Sequence, residues 1–285
     1  MGIYGAKNGW VGETRCFLYS SAQPARRHRQ SRSGRTQQPI LSGKSGLELK
    51  LSESIAKIGQ PLTYRRAWRR ARRFLHPVPI APLLARIDQD RLGGLQAQYG
   101  CPSANAPGLW RHYSKYLDVK KHLPLNIRRA QDLNLHRLPP QEILDIGCGG
   151  GFFLFVTGAL GHNGLGLDMG DIPVFDGLVD LLGVNRTIYK VAMFEPLPDF
   201  GRTFDLITAF ATAFHGSRED AWRWSETEWD FFLTDLKSRL KPGGRIFFDL
   251  NAAYHGEYYT PKILDVFLRQ GGVIERSNVL FRSRM

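Results

Sequence analysis

The stretch that most restricts the fold is Gln141 to Gly151, QEILDIGCGGG. Glu142 to Ile146 reads as a buried strand, and it runs straight into Gly147, Gly149, Gly150 and Gly151. The apolar run Phe152 to Leu160 follows at once and fits a packed helix. Strand, glycine turn and helix make the first half of a βαβ unit. Glycine suits such a turn because it takes positive φ at little cost. A ligand can also lie against backbone that carries no Cβ. A second apolar run, Gly164 to Leu167, closes on Asp168, where the next parallel strand is expected to end. A carboxylate at that strand end can accept both hydroxyls of a ribose.

The dinucleotide fingerprint G-x-G-x-x-G would begin at Gly147 and Gly149, but its third glycine position holds Phe152. The pattern present is Asp145-x-Gly147-x-Gly149-x-Gly151. It resembles the first motif, (D/E)-x-G-x-G-x-G, of the class I S-adenosylmethionine-dependent methyltransferases. Leu165-Gly166-Leu167-Asp168 is similar to that family's ribose-binding strand end, and Thr203-Phe204-Asp205-Leu206-Ile207 to its fourth strand. Leu240-Lys241-Pro242-Gly243-Gly244-Arg245-Ile246-Phe247-Phe248 resembles its LKPGG turn and fifth strand. The resemblance covers residues 108–285. It implies an α/β fold, a Rossmann-like and mostly parallel sheet with flanking helices and a terminal antiparallel hairpin. It also implies methyl transfer from S-adenosylmethionine by in-line displacement. Two rival readings are an NAD(P)-dependent oxidoreductase and a non-catalytic nucleotide-binding protein. Phe152 and the LKPGG turn count against the first; intact Asp145, glycines and Asp168 count against the second.

By the same resemblance, Gly147, Gly149 and Gly151 cradle the cofactor. Asp145 orients the turn and the cofactor's ammonium group, and Asp168 takes the ribose hydroxyls. Cys148 sits inside the turn, as a small residue that fits there rather than as a reactive thiol. The acid that many family members place after the third strand falls here on Met193, so Met193 and Phe194 are expected to offer an apolar wall and backbone contact to the adenine, with Glu195 as a substitute acid. On the acceptor side His215, after the fourth strand, is the candidate general base, because an imidazole titrates near neutrality. Asn251, Tyr254 and His255 follow the fifth strand on the same face. The N/D-PP-(Y/F) signature is absent: Ala209-Phe210-Ala211-Thr212 stands in its place. This leaves a small-molecule or lipid-linked acceptor as the expectation.

Elsewhere the patterning predicts two helical pieces over Trp110 to Leu135, broken near Pro124, which either cap the cofactor cleft or simply pack. Further elements are a helix over Asp176 to Gly183, a third strand over Arg186 to Ala192 and a fourth over Phe204 to Phe210. A helix over Trp222 to Leu240, a fifth strand over Arg245 to Leu250 and a helix over Pro261 to Gln270 come next. Val273 to Glu275 and Val279 to Arg282 form a closing pair of strands.

Charge divides the chain. Residues 1–100 hold 18 Lys and Arg against 5 Asp and Glu, while residues 101–285 hold 21 of each. The expected organisation is a disordered leader over 1–60, rich in Gly, Ser, Gln and Arg, a basic helical arm and linker over 61–107, and a catalytic domain over 108–285. Within 61–76, Arg65, Arg66, Arg69, Arg70, Arg72 and Arg73 interleave with Tyr64, Trp68 and Phe74. Such a segment suits weak contact with an anionic membrane surface or with nucleic acid phosphates. No apolar run approaches the ~20 residues of a membrane span. Three cysteines without pairing or ligand spacing predict a reducing, cytoplasmic setting.

Overall fold

The structure is a computed structural model that describes residues 68, 71, 73–100, 113–212, 215, 223–252 and 257–283. The leader over 1–60, most of the arginine segment, the division at 107/108, Tyr254 and His255 lie outside the described residues.

Helices α1 (Ala81–Ala85) and α2 (Gln89–Tyr99) lead into a 3-10 turn (Ser114–Leu117) and α3 (Val119–Asp132). The core follows as β1 (Glu142–Ile146), α4 (Phe152–Ala159), β2 (Asn163–Asp168), α5 (Pro173–Leu182) and β3 (Arg186–Ile188). Then come β4 (Phe204–Phe210), α6 (Glu226–Ser238), β5 (Leu240–Asp249), α7 (Pro261–Arg269), β6 (Val273–Glu275) and β7 (Asn278–Arg282). One seven-stranded sheet has the order β3-β2-β1-β4-β5-β7-β6, and only β7 and β6 break the parallel pattern. The expected α/β fold with a terminal hairpin is therefore present.

Alternation along the strands sets two cores. Ile143 of β1 and Leu206 and Phe210 of β4 pack with Leu123 and Ile127 of α3, Phe152 and Phe153 of α4 and Leu178 of α5. Leu144, Ile146, Ile207 and Phe248 point the other way, onto Trp229, Phe232 and Leu236 of α6 and Phe267 of α7. Phe204, Phe232, Phe248, Phe267 and Phe281 are fully buried, each contributing about 1.5–3 kcal/mol.

Three departures from the sequence reading, at Pro124, at the end of the third strand and at the LKPGG segment, have physical causes. Pro124 lies inside α3 and does not break it. A proline there forfeits one backbone bond, and burial of Leu123, Ile127 and Ala130 offsets that loss. The third strand stops at Ile188, because Asp168, its last partner on β2, ends there and its carbonyl accepts from Tyr189 N at 2.8 Å. The connection over residues 189–203 carries no helix. It is held to α6 by Leu197 N donating to Asp235 (3.0 Å) and by Arg239 donating to the carbonyls of Leu197 and Pro198. The LKPGG segment lies within β5: Leu240 pairs with Phe204 and Arg245 with Leu206, so residues 241–244 bulge out between them.

Residues 78–99, expected within the basic arm and linker over 61–107 rather than in the catalytic domain, pack into the first core through Leu83, Ile87 and Leu92. Asp88 caps α2 by accepting from Asp90 N and Arg91 N at 3.0 Å. Arg91 pairs with Asp180 of α5, and Leu95 occupies the space beside Gly177, 2.5 Å from where a Cβ there would stand. Arg73 pairs with Asp132 at 3.1 Å, and Gln131 donates to His76 O at 2.9 Å.

Candidate functional site

Strand order reverses at β1, which pairs with β2 on one side and β4 on the other. In open parallel sheets ligands bind outside the carboxyl ends at such a point. The glycine turn stands there. Gly147, Gly149 and Gly151 have φ of 69°, 54° and 78°, a region costly to any residue with a Cβ. Gly147 N and Cys148 N both donate to Leu167 O (2.6 and 3.2 Å), strapping the turn to the end of β2. Asp168 completes the strap: its carboxylate accepts from Gly149 N at 2.7 Å and Met169 N at 2.8 Å. Burial raises its pKa, opposed by those two bonds. Each carboxylate oxygen keeps a further lone pair for hydroxyl donors.

Asp145 is 3% exposed and accepts from Thr208 Oγ1 of β4 at 2.7 Å. Burial pushes its carboxyl up to about 7, against the Thr208 bond and the nearby Arg129 guanidinium. Cys148 fits because Gly166 has no side chain; a Cβ there would come 2.5 Å from its sulfur. Burial first, then the carboxylates of Asp145 and Asp168, push its thiol well above the usual range. It is neutral and unreactive at pH 7.

Beside the turn stands an aromatic wall. Phe175 lies 3.4 Å from the Cβ position of Gly149 and receives Tyr113 and Tyr116 edge-on, at 5.3 and 5.0 Å. His122 stacks between Tyr116 (4.7 Å) and Phe152 (5.4 Å). On the other side Met193 and Phe194 are 42% and 52% exposed in the loop after β3. Phe194 has φ 57° and packs edge-on against Phe231 of α6 at 5.8 Å. Glu195 is exposed in the same loop. The sequence reading missed Met169 and Ile188, exposed apolar residues at the ends of β2 and β3. Their placement next to the expected strand ends was the available signal.

The ends of β4 and β5 are tied together. Ala211 N donates to Asp249 O (2.8 Å), and Asn251 Nδ2 donates to Ala211 O (2.7 Å) and Thr212 O (3.2 Å). This sets the Thr212 methyl over Gly147, 2.3 Å from where a Cβ would lie. Asn251 is thus positioned by structure at the junction of the two strand ends. His215 is half-buried with its ring tilted on Trp229 of α6 at 5.4 Å. Burial, with Arg223 nearby, pushes its imidazole down to about 4. Among the described residues no group of three or more His, Cys, Asp or Glu could hold a metal ion.

No family model matches the chain. It is 35% identical to a tRNA U34 carboxymethyltransferase of Campylobacter hominis over 115 residues, 39% of this chain and 36% of that protein. It is 28% identical to a ubiquinone biosynthesis O-methyltransferase of Rhizobium leguminosarum over 157 residues, 51% of this chain and 58% of the relative. The chain thus spans about a third to three fifths of the length of these curated relatives. Among solved structures, the S-adenosylmethionine-bound CalS10, an amino pentose methyltransferase from Micromonospora echinaspora, is 24% identical over 45% of this chain and 50% of that one, with a TM-score of 0.34. The motifs stand in order along a β3-β2-β1-β4-β5-β7-β6 sheet and the curated relatives are methyltransferases, both consistent with the class I S-adenosylmethionine-dependent methyltransferase family.

Proposed function

We propose that the chain transfers a methyl group from S-adenosylmethionine to a small-molecule or lipid-linked acceptor. The observation that carries this is the turn itself: three glycines at positive φ, clamped by the Asp168 carboxylate, at the point where strand order reverses. The residues fit the cofactor. Gly147 and Gly149 take the positive φ that shapes the turn and carry no side chain of their own, and Asp168 keeps lone pairs for the ribose hydroxyls. Met169, Ile188, Met193 and Phe194 offer exposed apolar surface for the adenine. Asp145 supplies the buried carboxylate behind the turn, toward the ammonium group.

When bound, S-adenosylmethionine supplies a methyl carbon already activated on a sulfonium. The acceptor atom forms its bond to that carbon as the carbon–sulfur bond breaks, and the electron pair stays on sulfur. The protein's share is alignment, for which effective molarities allow ~7–11 kcal/mol. Thr212 and Asn251, at the ends of β4 and β5, border the acceptor side. His215 is assigned there too. With its imidazole at about 4, it is neutral at pH 7 and orients an acceptor hydroxyl as a hydrogen-bond partner, a weaker role than a base poised near neutrality. The relatives named as ubiquinone biosynthesis O-methyltransferases favour an oxygen acceptor.

The basic arm gives such an acceptor a surface to sit on. Trp68, Phe74 and Leu75 are 65%, 85% and 63% exposed within the arginine-rich segment. Adsorption to anionic lipid at ~1 kcal/mol per basic residue follows. No helix among the described residues is long and apolar enough to cross a membrane. Incubation with methyl-labelled S-adenosylmethionine and separate pools of quinols, other small hydroxylated compounds and tRNA tests the reading. Label in the quinol or small-molecule pool supports it; label in tRNA alone overturns the acceptor class.

A further inference from the structure

Arg129 sits on α3, an element that none of the sequence motifs marks. Its guanidinium lies over the Phe210 ring of β4, 4.4 Å from the centroid. It stands 3.9 Å from Asp249 at the end of β5 and donates to Asn126 Oδ1 at 3.1 Å. Its side chain is only 21% exposed. Across the sheet Asp145 pairs in register with Thr208, and Phe210 with Asp249. These four residues share one face of the sheet, and α3 covers that face. The cation is therefore set over β4, beside Asp249 at the end of β5 and on the face of the sheet that carries Asp145 of β1.

We propose that Arg129 is a positioning residue that favours the ionised form of Asp145 and holds it in place, so that α3 forms part of the cofactor site and links it to Asp249. This rests on the reading of the glycine turn as a cofactor site. Among the described residues Asp145 accepts from one neutral side-chain donor, Thr208, and a buried carboxylate so held tends to give up its charge. The charged or titratable groups around Asp145 are Arg129 from α3, Asp168 from β2 and Cys148 from the turn; Asp249 and Tyr116 flank Arg129 itself. Asp168 repels the Asp145 charge, Cys148 is neutral, and Arg129 is the cation among them. An ionised Asp145 attracts a ligand ammonium, whereas a protonated one does not.

The sign of the pH dependence follows. With its folded pKa near 7, above the ordinary carboxylate value of 3.8, Asp145 contributes stability that is full below the unfolded pKa. That contribution is lost as pH rises through about 7. Removing Arg129 carries the loss to higher pH.

The test is thermal unfolding of the ligand-free chain from pH 5.5 to 9, for the parent, Arg129→Met and Arg129→Lys, each also with Asp145→Asn. Arg129→Met should lower Tm increasingly with pH, Arg129→Lys should follow the parent, and Asp145→Asn should abolish the pH dependence of the Arg129→Met effect. An Arg129→Met loss that is the same at every pH overturns the proposal. If Arg129→Met does not fold, carbon-13 titration of Asp145 in Asp249→Asn replaces it. Freed from its second carboxylate, Arg129 should move the Asp145 midpoint down, and an unmoved midpoint overturns the proposal. Calorimetry with S-adenosylhomocysteine separates the two levels. Coupling in the melts without ligand binding at any pH leaves the Arg129–Asp145 pairing standing and removes the cofactor reading. Binding with one pH profile in parent and Arg129→Met removes the pairing.

Discussion

A single methyl added at Gly147 meets two costs that can be separated. Its φ of 69° lies in the left-handed region, where a side chain costs ~1–2 kcal/mol. Its Cβ would also stand 2.3 Å from the Thr212 methyl carbon. That carbon is one bond from its own Cβ, on a backbone that Asn251 holds through the Ala211 and Thr212 carbonyls. Relief therefore requires the β4 end to move, an overpacking cost of ~1–3 kcal/mol. Gly147→Ala should then destabilise by roughly 2–5 kcal/mol in all. Thr212→Ser removes the offending methyl. Added to Gly147→Ala, it should recover the overlap part and leave the strain. Gly158, inside α4 with open space around it, is the control: Gly158→Ala should be neutral or stabilising by ~0.5–1 kcal/mol. Urea unfolding of the parent, both single variants, the double variant and the control reads every term. Stability of Gly147→Ala within ~0.5 kcal/mol of the parent, or no recovery on adding Thr212→Ser, would refute the close approach of the β4 end to the turn.

The remaining expectations follow from other contacts. Asp168→Ala removes the acceptor for two backbone N–H groups at ~1–3 kcal/mol each, so it should lower the ligand-free Tm as well as weaken cofactor binding; a loss of affinity with unchanged Tm would mean the carboxylate does not hold the turn. Deleting residues 1–67 should leave Tm nearly unchanged, while deletion through residue 100 strips Leu83, Ile87 and Leu92 from the core at ~1.5–3 kcal/mol each. Equal Tm for the two truncations would restore the separable arm. His215→Ala should lower turnover without altering the shape of the pH profile between 6 and 9, since burial holds its imidazole near 4. A parent midpoint between 6 and 7 that disappears in the variant would return His215 to the role of general base.

The sequence was most legible where a residue's meaning is local. β1 and β4 match their expected bounds because each is a short, mostly apolar run, the first between Pro140 and the glycine turn. Asp168 was legible because a carboxylate closing a strand after a glycine turn has few uses. Other features depend on partners far along the chain. Pro124 sits within α3 because burial of Leu123 and Ile127 outweighs local preference. The third strand stops where β2 runs out of partners, which no pattern in residues 186–192 records. The LKPGG residues bulge inside β5 rather than preceding it, because Leu240 still finds Phe204. Thr208 was hidden in FDLITAF as one of two polar residues, with Asp205, in an otherwise apolar strand, although its face could be counted from Leu206 and Phe210. Arg129 is one of many cations in the sequence, and its place against Asp145, Phe210 and Asp249 exists only in the fold. The two faces of His215, titratable in sequence and desolvated in structure, show why residue type alone does not set a role.

The most direct measurement is a calorimetric titration of the full chain, in separate runs, with S-adenosylmethionine, S-adenosylhomocysteine and NADH. Micromolar binding of the first two, ~8 kcal/mol, with at least tenfold weakening in Asp168→Ala (~1.4 kcal/mol or more) and no heat from NADH, is the expected result. Saturable binding of NADH with none of either sulfur nucleotide would contradict the cofactor assignment on which the function rests.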